Sequence, residues 1–169
     1  MNIRKIFEYA LQREHEGKAF FENNAERLQN ATAVGAFKAI ALEEQKHIDF
    51  IQHQIDLIDG NQLAHEDAAA TLPQTGFFAD RAEDIEQTVA ESMVADLPVL
   101  RMAYLIERDF AEFYAMAAAK LAQSDVEVAQ GEPLKILEML ANWESGHERL
   151  FKRLHDQAFE KYAEMPWGG

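Results

Sequence analysis

Residues 41–51 read ALEEQKHIDFI, and residues 141–151 read ANWESGHERLF. In each stretch a glutamate is followed three residues later by a histidine, giving the pairs Glu44/His47 and Glu144/His147. Three residues turn an α-helix by about 300°, so the two side chains of a pair point in similar directions, one turn apart. One helix can therefore offer a carboxylate oxygen and an imidazole nitrogen to the same metal ion.

Each pair lies in the middle of a long segment whose apolar residues recur every three or four positions, the period of an amphipathic helix. Two further segments with this period precede them, and each carries one glutamate, Glu14 or Glu107, in its apolar stripe. The four helices are predicted to run over 2–28, over 32–58, from about residue 96, and from about residue 131. Pro98 and Pro133 suit the first turn of the last two, and Gly60 is a stop signal for the second.

The connections favour one arrangement of these helices. Short links pair the first helix with the second and the third with the fourth as antiparallel hairpins, while the link over 61–93 is long enough to cross a bundle. We therefore predict an all-α, ferritin-like, up-down-down-up four-helix bundle with a long crossover between helices 2 and 3. A short helix is expected over 81–93. The domain is predicted to span 1–162, followed by a C-terminal tail at 163–169.

The two hairpins also resemble each other in sequence. When Glu14 is aligned with Glu107, residues 10–28 (ALQREHEGKAFFENNAERL) match residues 103–121 (AYLIERDFAEFYAMAAAKL) at several apolar positions, and Phe21 falls on Tyr114. In the same way, Glu44 and His47 fall on Glu144 and His147. Duplication of one helical hairpin accounts for this pattern.

Carboxylates inside a bundle core are costly unless something compensates their charge. Four inward glutamates carry four negative charges, which two divalent cations balance. This arrangement, a glutamate from two helices and Glu-x-x-His from the other two, is the di-metal pattern of ferritin-like bundles. The predicted metal ligands are Glu14, Glu44, His47, Glu107, Glu144 and His147.

A different reading places these glutamates on polar flanks of the helices. About 0.7 Glu-x-x-His pairs are expected by chance in this composition, so the pairs alone decide nothing. Rotating helices 1 and 3 to expose their glutamates would, however, also expose aromatic residues of the stripes. The other histidines (His15, His53, His65, His155) are expected at the surface or its boundary, and the neighbouring glutamates (Glu16, Glu43, Glu148) on solvated faces. Tyr114, two turns after Glu107, is expected to hydrogen-bond a ligand carboxylate.

Charge and composition restrict the function classes. The formal net charge of −14 disfavours nucleic acid and anionic membranes as partners. The sequence has no cysteine, which excludes disulfides, thiolate zinc sites and Fe–S clusters within it. The N-terminal residues form an amphipathic pattern rather than a signal peptide, so a cytoplasmic location is expected. Carboxylates with one imidazole per ion suit iron, with manganese or zinc as substitutes.

These motifs resemble the rubrerythrin-like branch of the ferritin superfamily, from Glu14 with Phe21 through Glu44-Gln45-Lys46-His47 and Glu107 with Tyr114 to Glu144-Ser145-Gly146-His147. The resemblance implies a centre of two iron ions in which Glu44 and Glu144 are the bridging ligands. Rubrerythrins proper add a cysteine-rich rubredoxin domain, a carboxylate where this chain has Phe110, and a tyrosine where it has Phe21. These departures concern peroxidase activity rather than the metal site.

The leading functional hypothesis is a di-iron oxidoreductase that reacts with O2 or H2O2 and takes electrons from an external donor. Two alternatives stay open at this point. One is an iron-binding or storage protein with ferroxidase activity, and the other is a non-enzymatic helical metal-binding module. A homodimer is expected because proteins of this superfamily often associate.

Overall fold

The computed structural model describes residues 2–60, 91–123 and 132–166. Every regular element within these ranges is helical: α1 (Ile3–Ala25), α2 (Ala31–Asp59), a 3-10 helix (Glu91–Asp96), α3 (Leu97–Ala122) and α4 (Glu132–Glu164). The all-α, ferritin-like fold class is confirmed. Helices α1 and α2 begin and end, and α3 and α4 begin, within about three residues of the predicted positions. The predicted helix at 81–93 lies outside the described residues, apart from residues 91–93, which begin the 3-10 helix.

Side chains at the helix ends explain where the helices begin and stop. The side chain of Asn2 accepts a hydrogen bond from the backbone N–H of Lys5, and the side chain of Asn30 accepts from those of Thr32 and Ala33. These bonds satisfy N–H groups that have no partner within the helix. Pro98 occupies the first turn of α3 as predicted, and Gly60 caps the C-terminus of α2. None of the described helices combines the length and the apolar composition needed to span a lipid bilayer.

Two contacts define the direction of the helices. The Arg4 Nε at the start of α1 lies 2.7 Å from the Asp59 Oδ1 at the end of α2, so these helices are antiparallel. The buried carboxylate of Asp96, just before α3, accepts hydrogen bonds of 2.9 Å from the backbone N–H groups of Gln29 and Asn30 in the α1–α2 turn. Helix α3 therefore begins at the same end as α2 and runs parallel to it, which is the up-down-down-up order. The end of α2 and the start of α3 therefore lie at opposite ends of the bundle.

The apolar core consists of two clusters, one toward each end of the bundle. The cluster near the α1–α2 turn is built around Phe21, Phe37 and Phe151, whose rings pack against each other. The cluster at the other end contains Phe7 and Tyr114. In all four helices the predicted glutamate lies between the residues that enter one cluster and those that enter the other. The bundle thus places a polar layer between two apolar ones.

Candidate metal centre

The polar layer consists of the six residues that the sequence predicted as ligands. All four glutamates and His47 are fully buried, and His147 is 3% exposed. The spacing of the apolar stripes causes this burial, because a residue in phase with buried neighbours three or four positions away must share their side of the helix. The alternative that placed these glutamates on polar flanks is therefore wrong.

One half of the layer is centred on His47. Its Nδ1 atom lies 3.0 Å from Glu144 Oε1, 3.4 Å from Glu14 Oε2 and 3.5 Å from Glu44 Oε2. These four residues come from three helices, and one ligand atom from each can be chosen so that all lie within 4.8 Å of one another. This spacing allows them to surround a single ion.

The other half is centred on His147. Its Nδ1 atom lies 3.3 Å from Glu44 Oε1 and 3.4 Å from both Glu107 Oε2 and Glu144 Oε2. These residues form a second group within 4.8 Å. Glu44 and Glu144 belong to both groups, and each directs one oxygen toward each histidine. Glu14 and Glu107 each belong to one group only.

The polar atoms of these candidate ligands have few hydrogen bonds of their own. Within the described part of the chain, both oxygens of Glu44, Glu107 and Glu144 and the Nδ1 atoms of both histidines have no hydrogen-bond partner. A buried polar atom left without a partner costs about 1–3 kcal/mol, and more when it is charged. So many unpaired buried atoms in one place indicate a site built to bind cations.

The four carboxyl groups of the layer fall into two classes, two with a raised pKa and two with a lowered pKa. Burial and the charges of Glu144 and Glu44 raise the pKa of Glu14 well above its usual value, and burial likewise raises the pKa of Glu107. Burial also opposes the charged forms of Glu44 and Glu144. A hydrogen bond with Glu14 and contacts with the protonated histidines nevertheless lower the pKa of Glu44, and contacts with the histidines lower the pKa of Glu144.

Burial alone would lower the pKa of each histidine, because it opposes the charged imidazolium just as it opposes the charged carboxylates. The carboxylates around the two imidazoles outweigh it and raise the pKa of both rings well above the usual value. Without a metal ion, the layer is therefore a place where protons are held among carboxylates.

The match to known families agrees with this geometry. The family model described as Rubrerythrin matches residues 5–155 of the chain. The chain belongs to the rubrerythrin family. Comparisons with curated proteins and with solved structures give no significant match, so the assignment rests on the family model. The rubrerythrin assignment and the Glu/His layer together fit a di-iron site.

Tyr114 contacts the site of this rubrerythrin-family chain as the sequence suggested. It is 1% exposed, and its hydroxyl donates a short hydrogen bond to Glu14 Oε1. Burial and the charge of Glu14 raise the pKa of the phenol, so the hydroxyl keeps its proton. Phe21, the equivalent residue in the first hairpin, has no hydroxyl and stacks on Phe151 instead. A tyrosine therefore contacts Glu14 in the His47 half of the layer, whereas the equivalent position for the His147 half is a phenylalanine.

The expectation for Glu43 was wrong. Glu43 was assigned to a solvated face, but it is 5% exposed, and its Oε2 lies 2.9 Å from His147 Nε2. The reason is that α2 buries two neighbouring rows of side chains, and only one of them was read from the sequence. The second row, Ala36–Ile40–Glu43–His47–Phe50, has the same three- and four-residue spacing and is buried throughout. That spacing was the signal that could have identified Glu43.

The remaining predictions for neighbouring residues agree with the structure where it describes them. His15, His53 and Glu16 are exposed, while His155 and Glu148 are partly exposed. His65 lies outside the described residues.

Phe110 stands where the sequence resemblance implies a further carboxylate in rubrerythrins proper. It is 2% exposed and packs beside Gly17, where an added Cβ would lie 2.8 Å from its ring. Phe110 therefore belongs to the apolar cluster that contains Phe7 and Tyr114, and Gly17 provides the space for its ring.

Proposed function

We propose that this protein binds two iron ions in the buried Glu/His layer and uses them for redox chemistry with O2 or H2O2. One observation carries the proposal: Glu44 and Glu144 each direct one oxygen toward His47 and the other toward His147. A carboxylate placed in this way can bridge two ions. Two independent sites would not need to share both carboxylates.

The proposal assigns each residue to an ion. Glu14 and His47 would hold the first ion, and Glu107 and His147 the second. Glu44 and Glu144 would bridge them. Both histidines face the layer with Nδ1, so both would coordinate through that atom. Four carboxylates and two divalent ions give a neutral layer, which removes the cost of burying the charges.

The donor set supports iron as the metal. Oxygen and imidazole donors without a thiolate suit iron and manganese, and zinc can also be bound by such residues. Two bound iron ions would supply electrons and Lewis acidity for the reduction of dioxygen or peroxide. The apolar clusters on both sides keep bulk water away from the layer. Residues 1–169 contain no cysteine for a rubredoxin-type site, so the electrons would come from a donor outside these residues.

The test is a titration of anaerobic metal-free protein with ferrous iron, followed by exposure to O2 or H2O2. We expect two ions per chain and oxidation faster than in protein-free buffer. Uptake of many ions per chain would replace the proposal with iron storage. Two bound ions without accelerated oxidation would show a structural metal site instead.

Variants distinguish bridging from terminal ligands. Glu14→Leu and Glu107→Leu should each bind one ion, because each removes a ligand of one group only. Glu44→Ala and Glu144→Ala should lose paired binding, since each removes a ligand of both groups. Glu112→Leu, on the exposed face of α3, is the matched control and should still bind two ions. If the terminal and bridging variants bind equal amounts of iron, the assignment of ligands is wrong.

A further inference from the structure

The two halves of the layer differ at one pair of equivalent positions outside the ligand set. Glu43 precedes Glu44, and Trp143 precedes Glu144 at the matching point of the repeat. Each of them contacts the histidine of the opposite hairpin. Glu43 Oε2 lies 2.9 Å from His147 Nε2, while the Trp143 ring stacks on His47 with centroids 4.9 Å apart and 9° between the planes. The duplicated position therefore has a carboxyl group on one side and an indole on the other.

The contact with Glu43 is the kind that strengthens a metal ligand. His147 directs Nδ1 toward the carboxylates of the layer, which leaves the Nε2–H to donate to Glu43. A ligating imidazole that donates its second N–H to a carboxylate has a fixed ring orientation and a more basic coordinating nitrogen. The Nε2 of His47, in contrast, has no hydrogen-bond partner among the described residues.

Glu14 and Glu107, the two glutamates that belong to one group each, also differ in a way that favours the His147 side. Glu14, on the His47 side, accepts a hydrogen bond from Tyr114, which withdraws negative charge from the oxygen it contacts. Both oxygens of Glu107, on the His147 side, lack such a bond within the described ranges. Both differences leave the stronger set of donors around His147.

We propose that Glu43 makes the two metal positions unequal, so that the position at His147 binds a divalent ion more tightly and fills first. Glu43 is then a positioning residue that acts through His147 without contacting the ion. This inference rests on the proposed function, since it assumes that the layer binds two ions.

Two steps in a titration would not by themselves test the inference, because two cations repel each other even at equivalent positions. Each position must be measured alone. Glu14→Leu leaves the His147 position, and Glu107→Leu leaves the His47 position. The probe is Co²⁺ added to metal-free protein, with Kd taken from calorimetry and from the visible absorption of the bound ion.

We expect the Glu14→Leu protein to bind Co²⁺ more tightly than the Glu107→Leu protein. Adding Glu43→Gln should weaken binding about 10- to 100-fold in the Glu14→Leu background, the usual effect of losing such a partner. In the Glu107→Leu background the same substitution should leave Kd within about twofold. This background is the matched control, because a general effect of charge or folding would weaken both positions.

The inference is overturned if Glu43→Gln changes both backgrounds equally or changes neither, or if the Glu107→Leu protein binds more tightly. Far-UV circular dichroism and thermal unfolding of each variant verify that it is folded. Protein that carries Glu43→Gln as its only substitution is titrated as well. Its first binding step should weaken while its second does not. Unmodified protein that fails to bind two Co²⁺ ions would refute the proposed function, whereas two bound ions without an effect of Glu43 would refute only this inference.

Discussion

Binding of two divalent ions should displace about four protons from the protein at about pH 5.5. Glu14 and Glu107 have raised pKa values because of their burial and their charged neighbours, so each holds a proton in the metal-free protein. His47 and His147 have raised pKa values because carboxylates outweigh the effect of burial, so each is an imidazolium. All four groups must lose these protons to act as ligands.

The charges of the layer account for the size of the effect. In the metal-free protein, the carboxylates of Glu44 and Glu144, whose pKa values are lowered, balance the two imidazolium groups. With metal, four carboxylates balance two dications. Both states are neutral, and they differ by one proton on each of four groups. Where all four are protonated, the overall constant for binding both ions should rise about 10,000-fold per pH unit.

The assay is calorimetric titration with Zn²⁺ or Co²⁺ in two buffers that differ in ionisation enthalpy, because the difference in heat gives the number of protons released. The number should fall as the pH rises, since the groups then lose protons before metal is added. Glu112→Gln, which removes a carboxyl from the protein surface, should leave the number unchanged. Release of fewer than about two protons, or a number that increases with pH, would refute the charge assignment.

Three further predictions concern stability. Tyr114→Phe should lower the free energy of unfolding of the metal-free protein by about 1–3 kcal/mol, because a buried carboxyl of Glu14 loses its hydrogen bond; unchanged urea denaturation would contradict this. Gly17→Ala should cost about 1–3 kcal/mol, since the new Cβ would lie 2.8 Å from the Phe110 ring, and Phe110→Leu should restore part of the loss in melting temperature. Finally, the stability of the metal-free protein should fall as the pH rises. The raised pKa values of two carboxyls and two imidazoles contribute stability fully below their unfolded values of 4.5 and 6.5, and this contribution is lost as the pH rises through the folded values. The two lowered carboxyls contribute fully above 4.5 and lose their contribution only as the pH falls below it, so they do not change the trend at higher pH. Urea denaturation at several pH values tests this sign, and metal-free stability that increases between about pH 5 and 8 would contradict it.

Most of the fold could be predicted because helical periodicity is a local property. The residues in phase with Phe7 and Phe21 had to share one face of α1, so Glu14 had to be buried with them. Loop lengths then gave the pairing of the helices. Glu43 shows where this reasoning was too narrow: the period was present, but the width of the buried face of α2 depends on how many neighbouring helices cover it.

The sequence by itself determined that each helix directs its candidate ligands, six in all, to the face of its apolar stripe at the middle of a bundle, because spacing along a helix fixes direction around its axis. Only the tertiary structure decided that Glu44 and Glu144 each face both histidines, and that Glu43 contacts His147 while Trp143 stacks on His47. These contacts join residues from different helices. They depend on the rotation and offset with which the packed helices meet, and these are set by the side chains of all four helices together.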